Sequence, residues 1–156
     1  MATFSVDNVR IAGIASCVPS NVIENNESVL FDNDDERSKY IQSTGVERRH
    51  VVDENTCSSD LCYEAAEKLI ADLRWEKESI DYLIFISQTG DYIYPATACI
   101  LQDRLGLRNF CMAFDITMGC SGWVYGMAVA SSLVRSGGGQ NNDIKWRNSF
   151  KNKIAS

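Results

Sequence analysis

Short, nearly unbroken apolar runs alternate along the chain with longer stretches in which apolar residues return every three or four positions. Residues 80–87 (IDYLIFIS) and 110–116 (FCMAFDI) are of the first kind, the pattern of strands covered on both faces. Residues 9–16 (VRIAGIAS) read as another buried strand, closed by the Pro19-Ser20-Asn21 turn. From Ser58 or Ser59 onward, Leu61, Cys62, Ala65, Ala66, Leu69, Ile70 and Leu73 share one helical stripe. Pro95 fits the first turn of a helix that runs to about Leu105 and stops at Gly106. A second helix, rich in small and apolar residues, is expected from Cys120 to about Val134. The polar stretch 25–44 holds short helices, the second capped by Asp34 or Asp35 and ended by Gly45. Residues 47–52 read as a short strand or loop edge.

Strand alternating with helix predicts parallel pairing, right-handed crossovers and an α/β architecture with helices on both faces of the sheet. The pattern breaks after Ser136, where Gly137-Gly138-Gly139 leads into a segment with neither strand alternation nor a helical stripe. From Gln140 onward there are four Lys/Arg against one Asp. The chain thus divides into one domain, 1–138, and an atypical tail, 139–156, expected to be disordered or loosely attached.

Composition narrows the partners. A chain of 156 residues, 45% hydrophobic and 23% charged, accommodates one soluble globular domain. The net charge of −6, spread rather than blocked, argues against nucleic acid or an anionic membrane surface as the main partner. No apolar run approaches the roughly 20 residues of a membrane span. The N-terminus lacks the basic start and apolar stretch of a secretory signal, so a cytoplasmic protein is expected. The six cysteines are scattered, no Cys-x-x-Cys pair occurs, and His50 is the single histidine. Zinc-ligand spacing is therefore absent, no metal or cofactor is implied, and most cysteines are expected to be small buried hydrophobes. A nucleotide-binding domain fits poorly, because there is no G-x-G-x-x-G after the first strand and no G-x-x-x-x-G-K-[ST].

Candidate chemistry concentrates in Phe114–Met127, FDITMGCSGWVYGM. A buried strand ends, the chain turns sharply through Met118-Gly119, and Cys120 opens a helix. A thiol so placed faces unpaired backbone amides and the positive end of the helix dipole, which favour negative charge on sulfur. Gly119 permits the tight turn, and Gly122 and Gly126 permit close packing of the helix. This is the layout of a nucleophile elbow with sulfur in place of oxygen. On spacing alone, a catalytic cysteine and a packed core cysteine both remain open.

Four segments in order, IAGIASCVP, STGVERRH (43–50), YPATACILQDRLGL (94–107) and AFDITMGCSGWVYGM (113–127), resemble the ketoacyl-acyl-carrier-protein synthase III family. The resemblance extends from about Arg10 to Gly138. It implies a thiolase-like layered fold, of which this chain would hold the first half, with a mixed sheet covered by helices. It further implies an acyltransferase in which Cys120 takes an acyl group from an acyl thioester, and the acyl-enzyme condenses with the enolate of malonyl-carrier protein after loss of carbon dioxide. Cys120 would be the nucleophile and its own backbone N–H an oxyanion donor. Acyl carrier protein would be a partner and a homodimer the assembly. Tyr94 falls where the family often places an aromatic reaching the partner subunit's acyl pocket; a packed surface aromatic is the alternative.

Several positions depart from the family pattern. Its histidine and asparagine come from a second half for which this chain has no counterpart, and His50 falls in a structural segment. The apolar strand expected after the Ser-Gly segment is replaced by residues 139–156, so a truncated member is expected. Lys39 and Ser43 stand where members that use CoA carry a Trp and an Arg, which favours a carrier-protein donor over CoA. Arg48 and Arg49 would either meet an acidic carrier protein or pair within the fold. A non-catalytic remnant, or a fragment that binds a partner chain, is the competing function. Half of such a fold would leave residues 80–87 and the helix after Cys120 partly uncovered.

Overall fold

A computed structural model describes residues 3, 5–27, 31–136 and 143–144. These form two compact units. The first holds the described residues up to Cys17 and from Ser58 onward; the second runs from Val18 to Cys57.

At the centre of the first unit, strands β4 (Tyr82–Ile86) and β5 (Met112–Ile116) pair in parallel, Tyr82 opposite Met112 through Ile86 opposite Ile116. Helix α3 (Thr97–Arg104) makes the crossover between them. Alternation along β4 sends Leu83 and Phe85 to one side and Ile84 and Ile86 to the other, and all four are buried. On the first side they join Ala66 and Ile70 of α2 (Ser58–Leu73), Ala98 and Leu101 of α3, and Leu105, Leu107 and Cys111. On the second side they meet Ala130, with Met127, Leu133 and Trp123 packed around it, from α4 (Gly122–Ser136). Fully burying a side chain such as Leu105 stabilises the fold by roughly 1.5–3 kcal/mol, so this two-sided sheet is the dominant core. Residues 80–87 are therefore covered, contrary to expectation for half a fold. The helix after Cys120 is open where expected, with Val124 and Tyr125 exposed.

The strand expected over 9–16 is cut to two residues. Strand β1 (Arg10–Ile11) pairs in parallel with β6 (Asp143–Ile144), while Ile14 is 75% exposed. A run of apolar residues becomes a strand only where a neighbour supplies the ladder, and among the described residues only 143–144 does so here. Asp143–Ile144 also lies in the segment read as lacking any strand pattern. The rest of 139–156 lies outside the described residues.

In the second unit, β2 (Val22–Glu24) and β3 (Arg48–His50) form an antiparallel pair, Ile23 opposite Arg49. A short 3-10 turn, Asn25–Glu27, follows β2. Helix α1 (Asp34–Thr44) is capped by Asn33, whose side-chain oxygen accepts from the Glu36 N–H at 2.9 Å. The cap thus falls one residue before the expected aspartates. Asp34 and Asp35 instead occupy the first turn, favourable to the dipole, and pair with Arg37 and Lys39. Gly45 ends the helix as expected, in the left-handed region at φ 68° with its N–H on the Ile41 carbonyl. Asn25, fully buried, donates to the Val46 carbonyl at 2.8 Å and accepts from Arg49 at 2.8 Å. Arg49 is thereby engaged within the fold, whereas Arg48 is exposed.

Candidate active site at the β5–α4 elbow

Chain direction alone places Cys120. β5 ends at Ile116, whose carbonyl accepts from Ser87 N–H at 3.3 Å and from Met118 N–H at 3.1 Å. A tight turn follows, closed by Gly122 N–H on the Gly119 carbonyl at 2.8 Å, with Cys120 and Ser121 as its central residues. The first α-helical bond runs from Tyr125 N–H to the Ser121 carbonyl at 3.2 Å. The helix therefore begins at Gly122, two residues later than expected, with Ser121 at its cap and Cys120 just ahead of that. Cys120 is exposed, and no group among the described residues accepts from its N–H.

Exposure does not by itself single out Cys120. Cys57 and Cys99 are also exposed, Cys17 and Cys62 are half-buried, and only Cys111 is buried. The expectation that most cysteines sit in the core is corrected accordingly. Cys57 lies in the second unit ahead of α2, and Cys99 lies within α3, its thiol directed at the Ala113 carbonyl at 3.8 Å. Of the exposed three, Cys120 alone stands between a core strand and the start of a helix.

The glycines of the elbow act through space. Among the described residues the glycines with positive φ are Gly45 and Gly106, so Gly119 does not serve the turn by a left-handed backbone. A Cβ on Gly119 would stand 2.8 Å from Nε2 of Gln88, and a Cβ on Gly122 would stand 2.7 Å from Cγ2 of Ile86. Gly122 lets α4 approach β4 closely; Gly119 lets the Gln88 carboxamide lie against the residue before Cys120. Sequence reasoning missed Gln88. Its one available signal was position: parallel neighbours open their C-terminal ends on the same edge of the sheet, where α/β folds bind ligands.

Asp115 of β5 fixes the loop on the same edge. Its two oxygens accept from Thr97 and Ala98 N–H groups, each at 2.8 Å, capping α3 with a charge. Thr97 Oγ1 accepts from Asp91 N–H at 3.1 Å, and Asp91 accepts from Ser59 N–H at 3.4 Å. Pro95 precedes the helix, whose N-cap is Ala96, rather than lying in its first turn. Between these anchors Tyr92, Ile93 and Tyr94 are 65, 106 and 89% exposed, so Tyr94 is not packed on this chain.

Other residues singled out by sequence lie elsewhere. His50 Nδ1 donates to the Pro19 carbonyl at 2.5 Å within the second unit. Lys39 pairs with Asp35, and Ser43 donates to the Tyr40 carbonyl at 3.0 Å, both on α1. Among the described residues no group of three or more His, Cys, Asp or Glu is arranged to hold a metal ion. No helix among them is long and apolar enough to cross a membrane.

Comparison with known proteins agrees with this architecture. Residues 114–142 match the family model for 3-oxoacyl-[acyl-carrier-protein (ACP)] synthase III. A beta-ketoacyl-[acyl-carrier-protein] synthase III of Clostridium perfringens (strain SM101) is 40% identical over 139 residues, 87% of this chain and 41% of that protein. Its counterpart in Alkalilimnicola ehrlichii is 42% identical over 130 residues, 82% of this chain and 39% of that protein. The crystal structure of a 3-oxoacyl-(acyl-carrier protein) synthase from Burkholderia xenovorans LB400 superposes with a TM-score of 0.78 at 43% identity, over 82% of this chain and 37% of that one. The chain thus spans about two fifths of the length of the curated relatives it matches. Its α/β fold is the thiolase-like one of these neighbours. By sequence and by fold, this chain is 3-oxoacyl-[acyl-carrier-protein] synthase III-like, corresponding to the N-terminal part of that family's length.

Proposed function

We propose that this chain supplies the acyl-accepting cysteine of a synthase III-type acyltransferase. The Cys120 sulfur attacks the carbonyl carbon of an acyl thioester; a new sulfur–carbon bond forms and the carbonyl oxygen becomes an oxyanion, held by the Cys120 N–H. Collapse breaks the donor's own carbon–sulfur bond, and the departing thiol takes the proton. The acyl group then rests on Cys120. In the second step malonyl-carrier protein loses carbon dioxide, its enolate carbon attacks the Cys120 thioester, and the thiolate is released. Acyl carrier protein is the donor partner of this scheme, consistent with Lys39 and Ser43 in place of an aromatic and a guanidinium. The chain acts as a homodimer in which Tyr94 reaches the partner subunit's acyl pocket. The histidine and asparagine that handle the enolate belong to the remaining three fifths of the family's length.

One observation carries this reading: an exposed thiol, with an unused N–H on the same residue, at the turn from a core strand into a helix. Intact-mass measurement after incubation with acyl-CoA and acyl-carrier-protein panels tests it. An adduct that disappears in Cys120→Ala supports it, and no adduct with any donor refutes it. A second reading, a non-catalytic fragment that binds a partner chain, is favoured by the exposed apolar residues Tyr92, Ile93, Tyr94, Phe110 and Met112.

A further inference from the structure

The loop between β4 and α3 is tied down at its base and bare at its tip. Thr97, with no solvent exposure, accepts from the Asp91 N–H through Oγ1 at 3.1 Å. The N–H of Thr97 is itself fixed on the Asp115 carboxylate at 2.8 Å. Asp91 in turn accepts from the Ser59 N–H at 3.4 Å, in the first turn of α2, where amides lack partners within the helix. A Cβ on Gly90 would stand 3.2 Å from Thr97 Oγ1 and 3.3 Å from the Tyr92 carbonyl oxygen, so this part of the loop lies directly against the hydroxyl. On the β4 side, Ser87 Oγ donates to the Thr89 carbonyl and accepts from the Thr89 N–H, each at 3.0 Å. Tyr92, Ile93 and Tyr94 follow Asp91 at once and are 65, 106 and 89% exposed. Large apolar side chains held in solvent gain little within their own chain, and a fixed base lowers the ordering cost of placing them against another surface.

We infer that Thr97 is a positioning residue for acyl-chain selection, its buried hydroxyl holding Asp91 and so setting where Tyr92, Ile93 and Tyr94 stand against the acyl chain bound by a second copy. This rests on the proposed reading, in which Cys120 is the acyl acceptor and Tyr94 reaches the partner subunit's acyl pocket. Thr97 touches neither the acyl chain nor the reacting atoms and acts through the loop alone. Its two polar groups divide the work: the N–H, on Asp115, fixes the start of α3, and Oγ1 reaches back to Asp91. The ligand class is an acyl thioester whose chain length must match the wall that the loop provides. In a close-packed apolar pocket one methylene more or fewer changes selection by roughly tenfold or more, so a small shift of that wall is read as a change in preferred length.

The test uses the full chain and N-acetylcysteamine thioesters of short and long acyl groups in competition, read by intact mass on Cys120. Iodoacetamide alkylation of Cys120 is the parallel readout. Thr97→Val keeps the shape and the α3 amides and removes the acceptor for the Asp91 N–H. The expected result is a preference between short and long chains relaxed by about tenfold, with alkylation within about twofold of wild type. Thr97→Ser, which keeps the hydroxyl, should retain the wild-type preference. Gly90→Ala leaves Thr97 intact, crowds its Oγ1 and the Tyr92 carbonyl, and should shift the preference as well, which keeps the inference testable if Thr97→Val fails to fold. Unchanged preference in Thr97→Val overturns the inference, as does an equal change in Thr97→Val and Thr97→Ser, or a matching loss of acylation and alkylation, which marks a displaced elbow. If the wild-type chain forms no Cys120 adduct, or Tyr94→Ala leaves the preference untouched, the reading beneath it falls and this inference with it. A preference that responds to Tyr94→Ala but to neither Thr97→Val nor Gly90→Ala sinks this inference alone.

Discussion

Asp115 caps helix α3 at Thr97, eighteen positions back along the chain: its Oδ2 accepts from the Thr97 N–H at 2.8 Å while Oδ1 takes the Ala98 N–H at 2.8 Å. Thr97 and Ala98 have no solvent exposure, so water cannot replace the carboxylate. The same strand that leads into the Cys120 elbow thus also sets the start of the helix that follows the Tyr92–Tyr94 loop.

Asp115→Ala should therefore cost about 2–3 kcal/mol of stability, the usual penalty for stranding buried donors that had a charged partner. Asp115→Asn, which keeps one acceptor oxygen, should cost less. Urea unfolding with an unchanged slope measures both. A loss indistinguishable from that of an exposed-site substitution would show the cap to be dispensable.

The two elbow glycines should respond differently to the same added methyl. In Gly122→Ala the Cβ meets Ile86 Cγ2 at 2.7 Å and Met118 Cβ at 3.2 Å, inside the sheet–helix contact. Overpacking of this kind costs about 1–3 kcal/mol. In Gly119→Ala the Cβ meets only the end of the exposed Gln88 side chain, which can swing away, so the change should fall within about 0.5 kcal/mol. Melting of both variants under one condition checks the contrast, and equal losses would contradict it.

What the sequence disclosed, and what it withheld, follows from the range of the forces involved. Leu83–Ile86 and the α2 stripe were legible because burial repeats with a fixed period, and periodicity is local. Gly45 and Gly106 were legible as stops because a left-handed residue favours glycine wherever it occurs. The stretch 9–16 misled because an apolar run does not reveal whether a neighbouring strand exists. The place of Cys120 between a strand and a helix was legible through the small residues crowded around it. Gln88 and Asp115 were not, since their contacts are to residues far along the chain and neither has a pattern of its own.

Asp53 gives a pH-dependent signature in the second unit. Its carboxylate accepts from the Thr56 hydroxyl at 2.7 Å and from the Asn55 N–H at 3.0 Å. The Thr56 bond first, and the Asn55 bond second, hold its pKa below the ordinary aspartate value, against an opposing effect of desolvation. A depressed folded-state value means the contribution to stability is present above the unfolded-state value and is lost as pH falls through the folded one. Carboxyl-detected NMR should find Asp53 titrating below the ordinary aspartate value, and Thr56→Val should move its midpoint upward. A midpoint unaffected by Thr56→Val would remove the hydroxyl as the cause.

Tyr94 separates the two roles open to an exposed aromatic. At 89% exposure it contributes little to this chain's own packing, so Tyr94→Ala should leave stability within about 0.5 kcal/mol of wild type. If it reaches a partner subunit, the same substitution should weaken self-association and relax the preference among acyl-chain lengths, because an aromatic wall of the pocket is lost. Sedimentation velocity over a concentration series reads the first effect, and intact-mass competition between short and long acyl donors for Cys120 reads the second. Association and acyl preference both unchanged would leave Tyr94 a solvent-facing side chain, and would remove it from the proposed acyl pocket.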